Sequence, residues 1–196
     1  MKSRVIRSLV FVLLVVAVSS CSRHTVTRVS PDQQIDLSGR WNDSDDRKVA
    51  ESMIADVMNR PWVTNFESVH KRKPVVIVGY VKNKTDEHIN PDPFITAIEQ
   101  EFINSGRVRV VQNSEFREKL REERAQQQEF ASKETAKKWG RELGADFMMF
   151  GKISSVLDEY GKRKVKAYTV TLELDDLETN EKVWLNNKTI KKYITD

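Results

Sequence analysis

Apolar and polar positions repeat with different periods along this chain, and the changes of period mark out its elements. Residues 9–18 are ten apolar residues in a row, preceded by Lys2, Arg4 and Arg7. Residues 22–42 are polar, with Ser22, Thr25, Thr27, Ser30, Pro31 and Gly39, and carry no clear apolar period. Val49, Met53, Ile54, Val57 and Met58 then fall on one face at helical spacing. The short polar side chains of residues 43–45 suit a helix N-cap, and Pro61 stops the helix because proline cannot donate the next hydrogen bond. Trp62, Val63 and Phe66 follow as an apolar loop expected to pack down on the domain. Residues 74–81 are continuously apolar apart from Gly79, which predicts a strand buried on both faces and central in its sheet. A polar loop, residues 83–87, comes next.

Asp92 as N-cap and Pro93 at the first helical position open a second helix. Phe94, Ile95, Ile98, Phe102 and Ile103 form its inward stripe, Gly106 ends it, and residues 107–111 form the next strand. That strand–helix–strand unit predicts parallel pairing. Residues 114–128 read as a heavily charged helix with a thin stripe, Phe116 and Leu120. A further helix over 132–143 turns Ala136, Trp139 and Leu143 inward and stops at Gly144, and residues 145–151 enter a second buried strand. Tyr168, Val170, Leu172 and Leu174 alternate with polar residues, the mark of a half-buried antiparallel strand. Gly161 marks a hairpin before it, and a turn over 178–181 leads to a last strand through Trp184. The sum is an α/β fold: a mixed sheet of about four to five strands flanked by helices.

Charge changes this picture little. There are 33 basic and 29 acidic residues in 196. Without Lys2, Arg4 and Arg7 the balance is 30 to 29, which gives no electrostatic argument for a nucleic-acid partner.

The single cysteine changes it more. Val18-Ser19-Ser20-Cys21 closes the apolar run and resembles the lipobox of bacterial lipoproteins. Ten apolar residues at about 1.5 Å each cover roughly half of a bilayer core, too little for a simple membrane span. Basic residues, an apolar run and small residues before a cysteine are the parts of a cleaved signal. The expected organisation is a signal peptide over 1–20, lipid on Cys21, a tether over 21–42 and one domain over 43–196. Serine at 22, where aspartate would favour inner-membrane retention, implies the outer membrane. The 21 residues after Cys21 span at most about 70 Å extended and about 25 Å as a coil.

No catalytic, cofactor or metal motif is evident. His24, His70 and His88 have no metal spacing, and the chain lacks a P-loop, G-x-S-x-G or G-x-G-x-x-G. The expectation is a non-enzyme without cofactor or metal.

Several segments resemble one family. Pro74-Val75-Val76-Ile77-Val78-Gly79 followed by Asn83-Lys84-Thr85 and Glu87, the run from Ser105 to Val111, the run from Ala136 to Asp146, and Tyr168 through Trp184 are similar, in order and spacing, to the LpoB family. Its members are lipoprotein activators of penicillin-binding proteins. The resemblance covers about residues 44–190 and implies a TolB N-terminal-like fold. It implies a non-enzymatic outer-membrane lipoprotein, facing the periplasm, that binds and stimulates a bifunctional peptidoglycan synthase, a class A penicillin-binding protein. Asn83, Thr85 and Glu87 are the candidate partner-binding residues, their other role being to shape the turn. The 21-residue tether departs from the long proline-rich one that the family can carry. The Gly144-Ala145-Asp146 region also resembles the N-terminal domain of TolB and the curli secretion lipoprotein CsgG, so the alternative is an envelope assembly or secretion component.

Overall fold

The computed structural model describes residues 26–30, 33–111 and 133–195. The chain divides into two units, Met1–Gln33 and Gln34–Asp196, and the regular elements among the described residues lie in the second. Asn42 starts the first of them. Its side chain accepts from the amides of Ser44 and Asp45 while Asp45 accepts from the Asn42 amide, a reciprocal capping box that satisfies the first turn of α1, Asp43–Met58. Val49, Met53, Ile54, Val57 and Met58 are buried, as their spacing predicts.

Residues 62–66 are not a loop. Pro61, already in helical conformation, accepts from the Asn65 amide and opens a second helix, α2, Trp62–His70. Trp62, Val63 and Phe66 form its buried face, and Trp62 Nε1 donates to the Val57 carbonyl at 2.8 Å. Two turns are too short for a helical period to be read, while proline fixes the entry.

β1, Val75–Lys84, is buried over its first half, as expected. The next helix, α3, is Asp92–Asn104, capped by Pro91, one residue earlier than the sequence suggests. Phe94, Ile95, Ile98 and Phe102 are buried, but Ile103 is 60% exposed. Eight residues beyond Ile95 turn about 80° round a helix, which carries Ile103 off the inward stripe. The expected strand over 107–111 shortens to β2, Arg109–Val110, parallel to β1. The helix expected over 114–128 lies outside the described residues. In α4, Lys133–Glu142, the buried positions are Ala136, Lys137 and Gly140. Trp139 is partly buried and Leu143 is exposed. Gly140 lies on that face: a Cβ there would stand 2.5 Å from Met148 Cε and 3.0 Å from Leu177 Cδ1, so a larger residue would have to displace those side chains. Lys137 is buried because its Nζ meets Asp175 at 2.9 Å.

β3, Phe147–Tyr160, β4, Arg163–Asp176, and β5, Lys182–Thr195, pair antiparallel along almost their whole lengths. The sheet order is β2-β1-β3-β4-β5, parallel in its first three strands and antiparallel in the rest: the mixed α/β sheet the sequence predicts, with five strands. One face packs Val76, Val78, Phe147, Met149, Ile153, Leu172 and Leu174 against α1, α2 and α3. The other packs Ile77, Met148 and Phe150 against α4. At Gly151 a Cβ would meet Leu172 Cδ2 at 2.6 Å and Val81 Cγ2 at 3.0 Å. Gly151→Val is therefore expected to cost about 1–3 kcal/mol by overpacking, read as a lower urea midpoint at unchanged slope.

The packed unit begins nine residues before position 43. Residues 34–42 lie against the sheet as a strap. Trp41 sets its ring edge-on to Phe94 and Tyr168, with centroids 6.4 and 5.6 Å away.

Candidate functional site

The loop after β1 is built from its own side chains. Asn83 donates to the carbonyls of Glu87, at 2.7 Å, and Ile89, and its oxygen accepts from the amide and hydroxyl of Thr85. Thr85 Oγ1 accepts from the Glu87 amide at 3.1 Å. Polar side chains thus take the hydrogen bonds that a ladder would otherwise supply where β1 ends. Asn83→Asp removes both amide donors and sets a carboxylate against two carbonyls. The expected loss is about 1–3 kcal/mol, measurable by urea denaturation.

The loop aims Glu87 at the strap and sheet. Glu87 Oε1 accepts from Lys166 Nζ and from the Tyr168 hydroxyl, each at 2.6 Å, and Oε2 accepts from the Trp41 amide at 3.3 Å. Burial pushes the Glu87 carboxyl up, but the bonds from Lys166 and Tyr168 outweigh it and hold the group below its usual value. Burial and the neighbouring Glu87 carboxylate push the Tyr168 phenol up. Lys166, on an inward position of β4, also pairs with Asp86 at 2.9 Å.

A second buried lysine holds the strap from β5. Lys192 Nζ donates to Asp45 Oδ2 at 2.5 Å, to Asp36 Oδ1 at 2.6 Å and to the Arg40 carbonyl at 2.7 Å. The Lys192 and Asp45 side chains are only 6% and 3% exposed, so both charges depend on this meeting. The hydrogen bond from Lys192 brings the Asp36 carboxyl down to about 2. Between strap, loop and α1 lies a cleft of about 570 Å³ lined in part by Arg40, Trp41, Asp46, Glu87, Asn90 and Lys166. Asp46, on the α1 side of the cleft, accepts from Trp41 Nε1 at 2.7 Å, and burial raises its carboxyl to about 6.

Of the sequence candidates, Glu87 lines the cleft, while Asn83 and Thr85 stand behind it and shape the turn. Cys21 lies outside the described residues. Sequence reasoning missed Trp41, Asp46, Lys166 and Lys192. One signal was present: Lys166 has the parity of Tyr168, Val170 and Leu172, and Lys192 that of Trp184 and Ile190, so both fall on the inward face of their strands. The chemistry assembled here is that of a clamp: both carboxylate oxygens of Glu87 and the whole ammonium of Lys192 are engaged within the fold.

A family model, described as peptidoglycan-synthase activator LpoB, matches residues 45–190. Among solved structures, the LpoB C-terminal domain from Escherichia coli is similar at 18% identity and a TM-score of 0.55, covering 76% of this chain and 99% of that one. The NMR structure of E. coli LpoB has 15% identity and a TM-score of 0.44 over 89% of this chain and 84% of that one. The LpoB C-terminal domain from Salmonella enterica has 16% identity and a TM-score of 0.44 over 67% of this chain and 94% of that one. The likeness to the first of these is one of fold. No curated protein matches the chain.

Proposed function

The chain belongs to the peptidoglycan-synthase activator LpoB family, and from that premise we propose that it is an outer-membrane lipoprotein that stimulates a class A penicillin-binding protein by direct binding. The family match across 45–190, nearly the whole packed unit, carries this reading. Lipid on Cys21 anchors the chain after removal of residues 1–20, and the packed unit faces the periplasm. Anchoring by acyl chains is held at about 0.8 kcal/mol per buried methylene, so two or more chains make it stable. Among the described residues no helix is long and apolar enough to cross a membrane.

The action is allosteric, without chemistry of its own. An activator raises turnover only if it binds the active state of the synthase more tightly than the inactive one. With residues 34–42 packed on the sheet, the chain available for reach after Cys21 is residues 22–33, whose fully extended length would be at most about 40 Å. The synthase must then present its docking part close to the outer membrane.

The test adds full-length chain, in detergent, to a bifunctional synthase purified from the source organism and follows glycan polymerisation. The expected result is binding and a faster rate. Absence of binding at roughly tens of micromolar to every synthase of that organism, a standard free energy weaker than about −6 kcal/mol, would set the reading aside. Recovery of a secretion or envelope-maintenance complex instead would favour the assembly role. In cells, Cys21→Ser is expected to abolish palmitate incorporation and recovery in the outer-membrane fraction.

A further inference from the structure

The outer half of the β3-β4-β5 ribbon has two unlike faces. On one, Lys166, Tyr168 and Lys192 are covered by the strap and the loop after β1. On the other, cross-strand register puts Val156 and Lys191 in one row, Tyr193 in the next, and Tyr160 with Arg163 in the last; Lys152 stands two rows nearer the core. Val156 is 69%, Tyr193 64% and Tyr160 83% exposed. Single exposed apolar residues are ordinary, but these three share one sheet face in successive rows, with the half-buried Ala167 and Val165 of β4 between β3 and β5.

Their charged neighbours point the same way. Among the described residues Lys152, Arg163 and Lys191 make no ion pair, and the anion between them is Asp158. A lysine on an edge strand can serve to block edge-to-edge pairing. That explains Lys191 on β5, but Lys152 and Arg163 sit on inner strands and block nothing. Tyrosine and arginine side by side on a solvent-exposed face are the residue types that dominate binding energy at protein interfaces. A lipid surface fits less well, because an interfacial element buries a continuous apolar face and here Asp158 and threonines interrupt it.

We infer that this outer face of β3-β4-β5 docks an acidic patch on the folded periplasmic part of the synthase, Val156 and the two tyrosines packing against it toward the ribbon's outer end and Lys152, Arg163 and Lys191 matching its charge. The inference rests on the activator reading above. Opposite charge across the interface speeds encounter and sets register, so affinity falls with salt.

The test uses full-length chain and detergent-purified synthase, with binding and polymerisation read together. Lys152→Glu with Lys191→Glu, and separately Tyr160→Ala with Tyr193→Ala, are each expected to weaken binding about tenfold or more and to remove stimulation in proportion. Lys188→Glu makes half that charge change, on the same strand as Lys191 but on the opposite face, and is expected to alter binding less than about twofold. Unchanged far-UV dichroism and Tm show that the variants fold. If wild type binds and stimulates while both double variants match it, or if Lys188→Glu is as damaging as the Lys152/Lys191 pair, the docking face is overturned and the activator reading stands. If wild type neither binds nor stimulates, both fall. Amide exchange separates lipid from protein as the occupant. The ribbon is expected to gain protection when the synthase is added, and not when the chain alone is reconstituted into vesicles containing phosphatidylglycerol. The reverse pattern assigns the face to lipid and overturns the inference.

Discussion

Lys192→Ala is expected to destabilise the protein by about 3–5 kcal/mol, because it strands a buried carboxylate. The Asp45 side chain is 3% exposed, and Lys192 Nζ lies 2.5 Å from its Oδ2. Without the ammonium, Asp45 keeps only the capping bond from the Asn42 amide at 3.0 Å, which is no replacement for a cation in a site closed to water. The strap also loses its hold, since the same ammonium binds Asp36 and the Arg40 carbonyl. Urea unfolding of the single and double variants measures the coupling. Lys192→Met combined with Asp45→Leu is expected to recover most of the loss, since a buried pair replaced by apolar groups of similar volume is often neutral. A single-variant cost below about 1 kcal/mol would mean that water reaches the pair, as at exposed ion pairs.

Asp46→Asn is expected to stabilise the protein by about 1–2 kcal/mol at pH 7.5 and to have little effect below pH 4. Burial is the main cause of the raised Asp46 carboxyl, with Asp45 and Asp43 adding repulsion against the bond from Trp41, and the folded value is about 6 against an ordinary 3.8. Folding therefore favours the protonated form. The penalty is absent below the ordinary value, grows as pH rises, and is complete above about 6. Two units at about 1.4 kcal/mol each set an upper bound near 3 kcal/mol. Asp46 stands in the first turns of α1, where the helix dipole favours a carboxylate by about 0.3–1 kcal/mol, and the substitution gives that up. An amide oxygen in the same place still accepts from Trp41 Nε1. Denaturation at pH 4 and pH 7.5 checks the sign. Asp36 runs the other way: its carboxyl, brought down to about 2 by Lys192, stabilises above its ordinary value and loses that effect only as pH falls through about 2. A gain from Asp46→Asn that is equal at both pH values would refute burial of the charge as its cause.

These predictions turn on Lys192 and Asp46, which the sequence left unremarked, and that shows where its legibility stops. The cores of β1 and β3, the alternation in β4 and the inward face of α1 were readable, because apolar spacing of two or 3.6 is imposed by local backbone geometry. The family was readable too, because order and spacing of core segments survive in the chain itself. The two turns of α2 were missed, being shorter than a period that could reveal them. Trp41 passed for tether because its aromatic partners, Phe94 and Tyr168, stand far along the sequence.

What the sequence determined alone is the α/β plan, the faces its helices and strands turn inward, and the family to which the chain belongs. Tertiary structure decided that Asn83 and Thr85 build a turn, and that Lys166 and Lys192 are clamps. It also decided which face of the outer β3-β4-β5 ribbon would go uncovered. The reason is one of range. A side chain's direction follows from its own backbone, whereas the charge that Lys192 meets lies 147 residues away and is fixed only when the sheet closes over α1.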